Sequence, residues 1–343
     1  MMRLPLSWLL AFTTAALALL LLGSLATGPM TLTLGESLRA LFAGQESGIE
    51  SHKQLIVQEI RLPRTLLCIA VGGILGLCGA VMQGLFRNPL ADPGIIGVSG
   101  GAALGAALAI VLLAPLGQQL QATIGVGLLP LLAFLGGALT TTLVYLLGTR
   151  EGGTSVTVML LAGVAITALS GAVIGLLTYL ADDQMLRNLS LWQMGTLAAG
   201  KPADVALALL TLAALLWLFM RDANPLNALL LGEGEARHLG VNVQSLKRRL
   251  ILLTAAGVGV AVAVSGMIGF VGLVVPHLVR LLAGPNHVRL LPLSALLGAA
   301  LLLAADMLAR TLLAPAELPV GIITALLGAP FFIWLLVKGR SAL

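Results

Sequence analysis

Residues 62–105 read LPRTLLCIAVGGILGLCGAVMQGLFRNPLADPGIIGVSGGAALG, and the fold turns on how this stretch is read. The run up to Phe86 carries one charge, Arg64. It is long enough to cross the hydrocarbon of a bilayer, which takes about 20 apolar residues as a helix. It then breaks on Pro89 and Pro93, which cannot continue a helix and push the residues before them towards extended backbone. Backbone without hydrogen-bond partners is too costly to face lipid, so the break belongs at an aqueous edge or inside protein. Asp92 followed by Pro93 suits a helix start, with the carboxylate as cap and proline at the first position. The chain then resumes with Gly97, Gly101 and Gly105 on one face. The stretch is a membrane span, a tight turn and a second, small-faced span.

The rest of the chain has the same character. Of 343 residues, 59% are hydrophobic and 10% charged, with a mean hydropathy of +1.05. A soluble domain is about one quarter charged, and this chain has too little polar surface to cover a water-soluble globule. Apolar runs predict ten spans near 6–27, 62–84, 94–114, 123–147, 155–180, 203–220, 250–268, 270–283, 290–312 and 319–337. The fold class is therefore all-α, a polytopic membrane protein of about ten helices in a single domain over 1–343. The N-terminal run follows Arg3 and resembles a signal peptide, but it is longer than the usual apolar core and no A-x-A site follows, so it reads as a retained span. Cys68 and Cys78 lie in one apolar run and read as small packing residues. The pI near 9.8 reflects orientation rather than nucleic acid. With the N-terminus inside, twelve of the nineteen basic residues fall on the cytoplasmic side, as the positive-inside rule asks. Both termini are then cytoplasmic.

Three features are candidates for work. Small residues recur every fourth place at Gly97, Gly101 and Gly105, at Gly163, Thr167, Gly171 and Gly175, and at Gly321, Ala325 and Ala329. Such faces let helix backbones approach closely, either as packing within one bundle or as a pathway or dimer seam. Residues 221–249 form the longest polar stretch between late spans, two helical pieces with apolar residues amid charge. They read either as an interfacial helix or as a docking surface for a cytoplasmic partner. On the outer side, Arg61 and Arg64 open the second span and Arg310 closes the ninth, four residues after Asp306. Arg310 and Asp306 form an internal ion pair, or the three guanidiniums receive a partner's carboxylates. The chain has no G-x-x-x-x-G-K-[ST] loop, no H-E-x-x-H and no G-x-S-x-G, hence no sign of its own nucleotide site. The four histidines are dispersed, and no metal site is expected. Transport driven by a partner is the natural reading. A proton-coupled secondary transporter is the alternative class, and it would need midplane acids that the spans lack.

The stretches RLPR, GAVMQGLFRNPLADPGIIGVSGGAALG, GFVGLVVPHLVRLL and ELPVGIITALLGAPFFIWLL closely resemble the FecCD-type permeases of bacterial ATP-binding-cassette importers. These take up ferric siderophores, haem and vitamin B12. The resemblance covers roughly residues 55–340 and implies the type II importer permease architecture. It implies a homodimer in the cytoplasmic (inner) membrane, two cytoplasmic ATPase subunits that use the ATP, a periplasmic binding protein, and no resident cofactor. Within 221–249 it assigns coupling to Leu231, Gly232, Glu233, Glu235, Ala236, Arg237, Leu239 and Gly240. It assigns binding-protein docking to Arg61, Arg64 and Arg310, and an exit narrowing to the turn at Asn88 and Pro89. Gly97, Gly101, Gly105, Gly171 and Gly175 are the expected moving or lining surfaces. Met185, Trp192 and Met194 near the outer mouth suit a large flat ligand, which leans the substrate towards haem over siderophore or vitamin B12.

Overall fold

The computed structural model describes residues 5–42, 51–114, 116, 127–150, 153–198 and 200–340. Arg3, Glu151 and the first residues of the fourth expected span, 123–126, lie outside the described residues. Among those described, seven helices are long and apolar enough to cross a membrane, and three more apolar helices are shorter. Together they occupy the ten positions that hydropathy predicts.

The order begins with α1 (Leu6–Ala26), the short helices α2 (Leu34–Phe42) and α3 (Ser51–Leu55), and a π-helical turn, Ile56–Arg61, that runs into α4 (Leu62–Leu85). A 3-10 turn (Pro93–Ile96) precedes α5 (Val98–Val111). Then come α6 (Leu128–Gly148), a two-stranded antiparallel hairpin of β1 (Thr149–Arg150) and β2 (Gly153–Thr154), and α7 (Val156–Leu180). The chain continues through α8 (Asp183–Gln193), α9 (Pro202–Arg221), α10 (Ala223–Leu230), α11 (Glu233–His238), α12 (Val243–Ser265), α13 (Val271–Ala283), α14 (His287–Thr311) and α15 (Val320–Arg340).

Helix α4 is the axis of the bundle, packed by α14, α9, α13 and α12. It is buried almost throughout its apolar length. Lipid gives leucine no reason to hide, so these helices gain by backbone approach and dispersion. At the α4–α14 crossing, a Cβ on Gly72 would run into the Gly298 carbonyl, and one on Gly298 into that of Gly72. The α5–α6 crossing repeats the device with Gly101 against the Gly136 carbonyl and Gly105 against that of Leu132.

Two spans depart from expectation. The third is shorter than 94–114. The Asp92 carboxylate accepts from the Gly94 N–H at 2.7 Å with Pro93 at the first position, so the predicted cap forms, but on a 3-10 turn. Gly97, at φ 86°, ends that turn, and only Val98–Val111 is α-helical. Fourteen residues rise about 21 Å, less than the hydrocarbon thickness of about 30 Å. The seventh starts at Val243 rather than 250, because the Asn242 side chain accepts from Ser245 N–H at 3.1 Å and Val243, Leu246 and Leu250 are buried on one face. The basic run Lys247 to Arg249 is thus helix, not loop.

Candidate functional site

The end of the bundle where α1 and α14 finish is built around Asp306, which is fully buried in α14. Arg64 Nε donates to Asp306 Oδ1 at 3.0 Å and its Nη2 lies 2.9 Å from the same oxygen. Arg310 Nε lies 3.0 Å from Asp306 Oδ2 as an ion pair one helical turn away, without hydrogen-bond alignment. The predicted Asp306–Arg310 pair is therefore present. The outward edge of Arg64 is taken by Glu317, with Nη1 donating to Oε2 at 2.6 Å and Glu317 one-third exposed.

Arg61 and Arg310 do something the sequence did not suggest. Helix α1 ends at Ala26, and its last carbonyls have no partner within the helix. Arg61 Nη1 donates to Leu25 O at 2.7 Å and Ala26 O at 2.8 Å, and Nη2 donates to Met30 O. Arg310 Nη1 donates to Ser24 O at 3.3 Å and Thr27 O at 3.1 Å, and Nη2 to Ser24 Oγ at 2.7 Å. Two cations thus cap the C-terminus of α1, where the helix dipole favours positive charge. All three arginines are at most 5% exposed. Within this chain, each of the three arginines expected to dock a binding protein is thus already engaged. Arg61 and Arg310 are spent on the chain's own carbonyls, and Arg64 alone is paired with a carboxylate that reaches solvent.

At the opposite end, residues 222–242 lie between α9 and α12. Gly232 and Gly240 take positive φ, 122° and 82°, and bracket α11. Lys247, itself buried, donates to Thr154 O at 3.1 Å and to Glu233 Oε1 at 2.6 Å. Leu226, Leu229 and Ala236 are buried, whereas Leu231 (67%) and Leu239 (63%) stand out with Glu235, Arg237 and His238. Of the expected coupling residues, Ala236 faces inward and Glu233 is turned to Lys247, so these two anchor the segment. Leu231, Glu235, Arg237, Leu239 and Gly240 form its outer face. A shallow groove of about 350 Å³ runs beside it between Arg237 and Gln244.

The small-residue faces divide. Gly97 lies against Val144 and Thr140, and Gly101 and Gly105 against α6. They pack α5 against α6 within this chain. Gly171 and Gly175 have nothing within 4 Å of a built Cβ and lie on an exposed face of α7. Asn88 and Pro89 are exposed in the turn, with Asn88 Oδ1 accepting from Leu90 N–H at 2.9 Å. Burial pushes the Asp92 carboxyl above its ordinary value, against the opposing Gly94 N–H bond. Trp192 is buried, Met185 packs half-buried on the core, and the Met194 carbonyl accepts from Gly321 N–H at 3.1 Å. Trp192 is thus part of the core rather than a ligand surface. An apolar pocket of about 120 Å³ opens between α13, α14 and α15, lined by Phe270, Val274, Leu301, Thr324 and Phe331 among others. Glu317 escaped the sequence reading because its partner is 253 residues away, and no local spacing signals such a pair.

A bundle of about ten apolar helices with one capped end, an ordered polar segment at the other and no nucleotide loop in its sequence defines a multi-pass membrane permease. Residues 16–338 match the model of the FecCD transport family. The chain is 47% identical over 336 residues to the hemin transport system permease protein HmuU of Yersinia pestis, covering 97% of this chain and 96% of that one. It is 44% identical over 297 residues to the cobalamin import system permease protein BtuC of Halobacterium salinarum, covering 87% and 77%. A solved metal-chelate-type ABC transporter in an inward-facing conformation superposes with TM-score 0.82 at 34% identity, covering 97% of this chain and 99% of that one. The chain belongs to the FecCD transport family, as the membrane-spanning permease subunit of an ATP-binding-cassette importer.

Proposed function

We propose that this permease carries haem, an iron chelate, from periplasm to cytoplasm across a bacterial cytoplasmic membrane. The observation that carries the substrate is the 47% identity to a hemin permease over nearly all of both chains. Ferric siderophore or vitamin B12 is the second reading, favoured by the 44% identity to a cobalamin permease. The subunit works as a homodimer with two ATPase subunits inside and a binding protein outside, and both of its termini are cytoplasmic. The open face of Ala168, Gly171, Ala172 and Gly175 on α7 supports a contact with a second copy or a lining role, since small residues permit close helix approach. Leu231 and Leu239, standing out of a polar rim, are the apolar anchors for an ATPase groove. At the outer end Arg64 receives the binding protein's carboxylate by exchange with Glu317.

The test is ATP hydrolysis by the purified permease–ATPase complex in nanodiscs. Binding protein loaded with haem should stimulate it more than the same protein empty or offered a ferric siderophore or cobalamin. Equal stimulation by cobalamin would remove the haem assignment.

A further inference from the structure

At the end that carries the coupling segment, Arg221 ends α9, and Arg248 and Arg249 lie in the first turns of α12. The Arg221 guanidinium sits over the Trp217 ring, 4.8 Å from its centroid. Trp217 is 61% exposed, and Leu210 on the same helix is 71% exposed. On α12, Arg248 and Arg249 are exposed, with Leu252 exposed one turn further in. Arg249 binds Asp222 through Nε–Oδ2 at 2.8 Å and a second, Nη2–Oδ1 contact, which ties the start of α12 to the residue after Arg221. Asp222 is buried and spends both oxygens on Arg249, so it does not balance the charge of Arg221 or Arg248.

We infer that this corner is a binding site for the phosphodiester headgroup of an anionic phospholipid. Guanidinium groups grip phosphate oxygens in pairs, tryptophan settles at headgroup depth, and basic pockets between spanning helices are the usual seats of such headgroups. A soluble partner fits less well, because Trp217, Leu210 and Leu252 continue the patch into the apolar belt, where acyl chains lie. Two other basic residues at this end are built differently. Arg280 turns inward to Gln83 Oε1 at 3.0 Å, and Lys247 is buried on Thr154 and Glu233. Residues 222–242 are strung between the two helices that hold the arginines, so an occupied site fixes both roots of the coupling segment.

The experiment uses the intact permease–ATPase complex, assembled in nanodiscs of phosphatidylcholine alone or doped with phosphatidylglycerol or cardiolipin, with retained lipid read by native mass spectrometry. Anionic lipid should be retained over phosphatidylcholine. The double variant Arg221→Gln, Arg248→Gln should lose about fivefold of that preference per arginine, and Trp217→Leu should weaken it. Arg150→Gln, an exposed basic residue at the β1–β2 hairpin, should leave it intact. Three results would each overturn the inference: no preference for anionic lipid, an unchanged preference in the double variant, or displacement of the lipid by inorganic phosphate at equal concentration. If the double variant lost its ATPase subunits while keeping its lipid, the patch would belong to the protein partner and the lipid assignment would fall.

Discussion

Asp306 is the residue on which the outer end depends. It is fully buried between two buried arginines, and removing one member of such a group strands the others, at a cost of about 3–5 kcal/mol. Asp306→Asn should therefore lower the melting temperature of the purified permease sharply, whereas Glu317→Gln, at a one-third-exposed position, should leave it nearly unchanged and strengthen binding-protein capture. A melt of Asp306→Asn superposable on the parent would show that the cluster is not structural. Asp92 gives a prediction in pH. Its carboxyl is raised above 3.8 by burial, so the folded chain holds the proton more tightly than the unfolded one. The cost of its charge is absent below the ordinary value and grows as pH rises through the folded value. Asp92→Asn keeps a carbonyl oxygen for Gly94 N–H, so it should melt at or above the parent at neutral pH, with the gain fading towards pH 3.8. Glu36 has the opposite sign. Lys53 and the Thr33 N–H and hydroxyl hold it down to about 2, so what it adds at the start of α2 is present above the ordinary carboxylate value and is lost only as pH falls through about 2.

Among the elements, the glycine faces separate packing from work. Gly101→Leu drives a side chain into the Gly136 carbonyl and Thr140, and it should abolish folded permease in detergent as judged by size exclusion. A Cβ at Gly171 meets nothing within 4 Å in its own chain and the face is exposed, so Gly171→Leu should fold with a normal melt and fail in uptake. Normal uptake by that variant would free α7 of any role in pathway or dimer. Much of this scale was legible in the sequence, because hydropathy marks each span and the Asp92–Pro93 pair marks a cap. The side on which a small face packs was not legible. Gly101 and Gly171 sit in the same four-residue pattern, and only tertiary placement tells α6 from open space. The start of α12 was hidden for a different reason, since Lys247 and the two arginines after it look like loop charge until Asn242 caps the helix and Lys247 is drawn inward.

At the scale of the whole molecule, the chain is a wall of helices around α4 with a closed outer cap and an ordered polar segment at the far end. The class was legible because the motifs extend over most of the chain. The partner contacts were legible only as residue types. The three arginines were visible, but two of them, Arg61 and Arg310, turned out to serve the end of α1, which no local pattern announces. As an importer subunit the chain supplies a route, and the free energy comes from a partner's ATP. Leu231→Glu with Leu239→Glu should leave the melt unchanged and uncouple the ATPase. The most direct measurement is haem entry into proteoliposomes holding the permease, its ATPase and its binding protein, with and without ATP. The account predicts uptake that needs ATP and all three components and stops in the double-glutamate variant. Accumulation of haem by the permease alone, driven by a proton gradient, would contradict it.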